Sequence, residues 1–218
     1  MDRQYATTTI DLLRHGECDD GHCYRGTTDI ALSSLGYKQM LSSVDHVSGA
    51  HSSWQRIVSS PLQRCATFAN DLSRERAIPI TIDSAFQELH FGDWEGQSVE
   101  HIWQTQQTAV ENWYDDPVSY PPPNGEKADV FFLRVKQALL NCISTSDDEK
   151  LLLIVHGGVI RVLLAHCLSM SLLDMNRFDV PYGCLSRIQV TYDVKSEQYF
   201  YRLIAHNIHN ISAIDSSI

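Results

Sequence analysis

The chain has 218 residues, 43% hydrophobic and 20% charged, enough for one domain with a full core but cramped for two. Seventeen Lys and Arg stand against 27 Asp and Glu, a formal net charge of −10, so most of the surface repels nucleic acid and anionic membrane. No run approaches the roughly 18 apolar residues of a membrane span, and residues 1–9 lack the apolar centre of a signal peptide. A cytoplasmic protein with no nucleic-acid or membrane partner is expected.

In chain order, residues 8–13 read as a strand, 34–43 as a helix and 56–59 as a second strand. Pro61 then opens a helix to about Glu75, a place where its missing N–H costs nothing. Residues 78–82 predict a third strand, and the aromatic-rich stretch 98–114 a helix. Pro117 and Pro121 to Pro123 make 115–125 a loop. Residues 126–144 read as a helix with Val130, Phe131, Val135, Leu139 and Leu140 on its apolar side. The wholly apolar run 151–155 predicts a central parallel strand, followed by a helix over 158–168. Residues 185–192 and 198–205 look like a terminal antiparallel pair. This alternation predicts a single α/β domain over 1–218, a three-layer α/β/α sandwich with a mostly parallel sheet, and a cap segment at about 97–125.

Three basic motifs fall where a strand gives way to a helix or loop: Arg14-His15-Gly16, Ser60 through Arg64, and His156-Gly157-Gly158. Ligands of open parallel sheets bind at the carboxyl ends of strands, so the three can meet in one pocket. Helix N-termini there supply free N–H groups suited to phosphate. Taken singly, Arg14 or Arg64 would be a surface arginine, His-Gly a turn, and Glu88 a solvated carboxylate. Their joint occurrence, in an acidic chain, reads as an anion trap.

The motifs resemble those of the histidine phosphatase, or phosphoglycerate mutase-like, superfamily. Its Arg-His-Gly signature is similar to Arg14-His15-Gly16, and its second arginine to Arg64, with Phe68 where threonine is usual. Its acid region is similar to Glu88 through Gly96, and its second histidine to His156. The likeness runs over about residues 8–190. Cys18 and Gly21 stand where many members carry threonine and asparagine. The short Arg25-Gly26-Thr27-Thr28-Asp29 run and the 121–126 stretch resemble the α-ribazole phosphatase branch, which places Arg25 and Gly26 at the substrate.

The resemblance implies a phosphomonoester hydrolase working through phosphohistidine. Arg14 and Arg64 would offset phosphate charge by bidentate bonds. His15 would attack as the neutral imidazole, and His156 would hydrogen-bond a phosphoryl oxygen. Glu88 would donate a proton to the leaving oxygen. With the arginines carrying the electrostatics, neither metal nor cofactor is expected. His206 and His209 read as solvated residues of a strand end or tail, and the six cysteines as free thiols. In the cap, Trp103, Trp113, Tyr114 and Tyr120 either stack on a flat leaving group or form core. The cap holds no lysine or arginine, which disfavours a mutase. Broad-specificity or sugar phosphatase activity is the alternative, and phospholigand binding without catalysis a more distant one.

Overall fold

The computed structural model describes residues 4–47, 54–144 and 148–208. Its strands are β1 (Tyr5–Arg14), β2 (Arg56–Ser59), β3 (Ile80–Ile82), β4 (Glu149–Val155), β5 (Leu185–Asp193) and β6 (Gln198–Ile208). Its α-helices are α1 (Ser34–Val47), α2 (Gln63–Arg76), α3 (Val99–Asp115), α4 (Ala128–Cys142) and α5 (Gly157–Cys167). The strands form one sheet in the order β3-β2-β4-β1-β5-β6. β3, β2, β4 and β1 are parallel; β5 and β6 join antiparallel beyond β1. The α/β sandwich with a mostly parallel sheet is therefore present.

The alternation of side chains along each strand splits the core into two layers. On β4, Leu151, Leu153 and Val155 join one buried cluster with α4 and α5, while Leu152 and Ile154 join the other with α1 and α2. This is why the run is apolar at every position. It also fixes the location of the site. The helix after β1 packs on one face and the helix after β4 on the other, although β1 and β4 are neighbours. Their connections diverge at the carboxyl ends and open a crevice there.

Several element boundaries differ from expectation for local reasons. α2 starts at Gln63, because Pro61 lies in a bend and Leu62 is the N-cap. β3 loses Ile78, whose N–H closes the end of α2 on the Ser73 carbonyl beyond the left-handed Ala77. In α4 the buried face runs through Ala128, Phe131, Val135, Ala138, Leu139 and Cys142, and Val130 is turned to solvent. His206 is the strand-end residue of the two readings: it lies near the end of β6, bonded to Ser186 Oγ through Nδ1 and to the Asp179 carbonyl through Nε2. His209 lies outside the described residues. Among the described residues, no helix is long and apolar enough to cross a membrane.

Candidate active site

The sheet ends bring the three motifs together by backbone bonds that continue the strand register. The His15 N–H donates to the Val155 carbonyl at 2.9 Å, and the Ser60 N–H to the Ile154 carbonyl at 3.1 Å. His15 and His156 are thereby adjacent, ring centroids 5.3 Å apart, and both are buried. His15 Nδ1 lies 2.7 Å from the carbonyl oxygen of Gly16. A carbonyl only accepts, so Nδ1 carries the proton and Nε2 keeps its lone pair. Burial, then the Arg14 and Arg64 guanidiniums, hold the His15 pKa well below its ordinary value, so the ring is neutral.

His156 is neutral for the same reasons: burial first, then Arg64 and His15. Its Nδ1 accepts from Arg64 Nε at 3.2 Å, which leaves Nε2–H to donate to Ser60 Oγ at 2.7 Å. Arg64 is fully buried and spends further donors on the carbonyls of Thr28, Gly26 and Arg25. Arg64 and His156 thus form the layer directly beneath His15 and clamp the loop that follows it.

Above them lies a cavity of about 200 Å³. Arg14, His15, Arg25 and Glu88 line it, as expected; Arg64, His156 and Gly26 do not. Gly26 serves the loop instead: a Cβ there would sit 2.1 Å from both Glu95 Oε1 and the Leu89 carbonyl. Arg25 is buried, ion-paired to Asp20, and also donates to the Gly21 carbonyl at 2.7 Å and the Tyr182 hydroxyl at 3.3 Å. Arg14 donates through Nη1 to the Val180 carbonyl at 2.5 Å, while its buried Nε has no partner among the described residues.

The two glutamates of the acid region are held differently. Glu88 accepts from Leu89 N–H and from Gly158 N–H at 2.9 Å, and it reaches the cavity. Gly158 must be glycine for this contact, because a Cβ would lie 2.4 Å from Glu88 Oε1. Glu95 instead receives the N–H groups of Thr27, Thr28 and Phe91 and the Thr28 hydroxyl. Burial opposes its charge, but these bonds win and hold its pKa below the ordinary carboxylate value. Glu95 ties the loop.

The cavity also recruits residues that motif reading missed: Tyr24, Phe91, Arg161 and Tyr182. Arg161 follows Gly157 by four residues on α5, so a helical projection of the His-Gly-Gly motif would have found it. Tyr182 had no such signal. None of the four cap aromatics lines the cavity. Trp113 is buried against Tyr24, Phe91 and Trp94, supporting two lining residues from behind, whereas Trp103, Tyr114 and Tyr120 are exposed. Cys18, in the usual threonine's place, lies 3.9 Å from His15 Nδ1, and burial raises its thiol pKa, so it stays protonated. Among the described residues there is no cluster of three or more His, Cys, Asp or Glu that could hold a metal.

Comparison with known proteins gives the family. The chain is 29% identical over 181 residues to the adenosylcobalamin/alpha-ribazole phosphatase of Salmonella typhimurium, covering 82% of this chain and 89% of that protein. It is 29% identical over 185 residues to an uncharacterized phosphatase, PhoE, of Bacillus subtilis, covering 84% and 88%. Among solved structures, the alpha-ribazole phosphatase of Shigella flexneri superposes with a TM-score of 0.73 at 25% identity over 92% of this chain and 96% of that one. The mycobacterial glucosyl-3-phosphoglycerate phosphatase Rv2419c shares the fold, with a TM-score of 0.79 at 23% identity over 92% and 99%. The profile of the histidine phosphatase superfamily (branch 1) matches residues 10–200, and the chain belongs to that family as a phosphoric monoester hydrolase.

Proposed function

We propose that this chain, acting as one cytoplasmic domain on a small phosphomonoester, hydrolyses α-ribazole 5′-phosphate through a phosphohistidine on His15. The observation that carries the mechanism is the 2.7 Å bond from His15 Nδ1 to the Gly16 carbonyl, which leaves Nε2 unprotonated in the cavity wall. The Nε2 lone pair attacks phosphorus as the ester P–O bond breaks, and the leaving oxygen takes a proton from Glu88. Water then attacks the phosphohistidine and yields its proton to Glu88. The N–P bond breaks, the lone pair returns to Nε2, and inorganic phosphate leaves.

Arg14 lies in the wall and binds phosphoryl oxygens. Arg64 sits one layer lower and acts on the same charge from beneath, with two of its three nitrogens already on loop carbonyls. His156, whose ring nitrogens both have protein partners, stabilises the transition state by trading its Ser60 bond for a phosphoryl oxygen. Arg25 adds charge at the cavity edge. No metal or cofactor takes part.

The substrate assignment rests on the alpha-ribazole phosphatases among the relatives and on the aromatic lining of Tyr24, Phe91 and Tyr182, which suits a flat base. A sugar phosphatase is the second reading, favoured by the fold shared with the glucosyl-3-phosphoglycerate phosphatase. Initial rates on α-ribazole 5′-phosphate, sugar phosphates and phosphoglycerates separate the two. A kcat/KM for α-ribazole 5′-phosphate at least about tenfold above the rest is expected, and a sugar phosphate in first place would overturn the assignment.

A further inference from the structure

Tyr182 touches two of the three arginines that line the cavity. Its ring centroid lies 4.2 Å from Arg14 Cζ, its hydroxyl accepts from Arg25 Nη1 at 3.3 Å, and its ring is 5.7 Å from that of His15. The loop that presents it is pinned at nearly every residue. Arg161 Nε donates to the Phe178 carbonyl, His206 Nε2 to Asp179, Arg14 Nη1 to Val180, and Ser43 Oγ to Gly183 at 2.6 Å, while Gly183 N–H donates to the His15 carbonyl. A loop fixed so thoroughly holds the ring still. Arg14 by contrast has one side-chain hydrogen bond, to Val180, and a buried Nε with no partner among the described residues. One bond leaves a planar guanidinium free to pivot; a ring against its face removes that freedom.

We propose that Tyr182 is a positioning residue for phosphoryl transfer: its ring fixes the plane of the Arg14 guanidinium so that the unpartnered donor edge meets the phosphoryl group. The face of the ring does this, and the hydroxyl bond to Arg25 is secondary. The inference rests on the phosphohistidine reading of His15. Pivoting of Arg14 weakens binding most when charge on phosphorus is being redistributed, so kcat responds more than KM.

The test compares Tyr182→Phe and Tyr182→Trp, which keep a ring, with Tyr182→Leu and Tyr182→Met, which keep apolar bulk without one; two variants in each class guard against a single folding failure. Steady-state rates with p-nitrophenyl phosphate, competitive inhibition by inorganic phosphate and rapid-quench phosphorylation of His15 are measured on each, with thermal melts as the control for folding. Folded non-aromatic variants should lose about tenfold in kcat, with KM and phosphate affinity weakened less, while the aromatic variants stay within about threefold of the parent. Parental kcat and phosphate inhibition in Tyr182→Leu or Tyr182→Met would overturn the proposal, as would a Phe variant as impaired as the Leu variant. Parental phosphorylation rates in the non-aromatic variants sink this inference alone. An unaltered enzyme that forms no phosphohistidine sinks the underlying reading, and the inference falls with it.

Discussion

The floor and the rim of the cavity are built on different principles. The floor consists of Arg14 and His15, with Arg64 and His156 in the layer beneath, each within a few residues of the end of β1, β2 or β4 and held by bonds to backbone or, for Arg64 and His156, to each other. The rim includes Tyr24, Arg25, Phe91, Arg161 and Tyr182, and all but Arg161 come from three loops far apart in the chain. His15, Arg64 and His156 are buried and closely bonded, so their positions follow from strand register, whereas the half-buried Arg14 side chain has one hydrogen bond, to Val180. Rim residues depend on how loops pack against one another: Glu95 on 26–28, Trp113 behind Tyr24 and Phe91. The proposed nucleophile sits on the strand-anchored part and the proposed leaving-group contacts on the loops, an arrangement that suits a fold serving many substrates.

The sharpest way to break this division is to remove the proposed nucleophile. His15→Ala should lower turnover by at least about 10⁴-fold and abolish the acid-labile, base-stable phosphoenzyme, while circular dichroism stays parental. Near-normal activity would remove His15 from the floor.

The next effect separates the two glutamates. Glu88→Gln should slow alkyl phosphates by about 10²–10⁴-fold and p-nitrophenyl phosphate far less, because p-nitrophenolate leaves without a proton. Glu95→Gln, which weakens four bonds to the 26–28 loop, should instead lower the melting temperature and slow both substrates alike. Selective loss in the Glu95 variant would exchange the roles.

Gly158→Ala probes the same carboxylate through its support. The added methyl would meet Glu88 Oε1 at 2.4 Å and push it from the Gly158 N–H, with an expected loss of about tenfold or more on alkyl phosphates. Gly157→Ala should be milder, since its methyl would meet Arg14 Nε and Arg161 Nη1 at 3.3 Å, a contact relieved by a shift of a few tenths of an ångström. Equal effects of the two on kcat would argue against a positioned Glu88.

A pH series on folding sharpens the contrast in burial. His15 and His156 both have pKa values well below normal, lowered by burial and neighbouring guanidiniums. Below about pH 6.5 the unfolded chain takes up protons at these positions and the folded chain does not. Stability is thus full above that pH and falls as pH drops, by about 1.4 kcal/mol per unit for each histidine. Urea midpoints should show this slope, and His15→Asn should make it shallower; an unchanged slope would mean His15 protonates in place. The smallest expected effect is none at all: excess chelator should leave kcat unaltered, and a loss restored by a divalent ion would bring a metal into the mechanism.

Much of the floor was legible because its signals are local. An apolar run such as 151–155 can only be a strand buried on both faces, and a basic residue next to its end lands at the carboxyl edge of the sheet. The departures were equally local. Ile78 reads as strand until the end of α2 claims its N–H, and the strand expected over 198–205 runs on through His206 to Ile208.

By itself, then, the sequence determined the α/β layering, the nearness of His15 to Arg14 and the family, since each depends on residue type within one strand and its following turn. Tertiary structure alone decided that Tyr182 would lie on Arg14, that Arg64 and His156 would bond each other beneath His15, and that Trp113 would support the cavity without lining it. Those contacts join residues tens to more than a hundred positions apart, and their geometry is set by how layers and loops pack, a sum over many weak contacts that no short stretch of sequence contains.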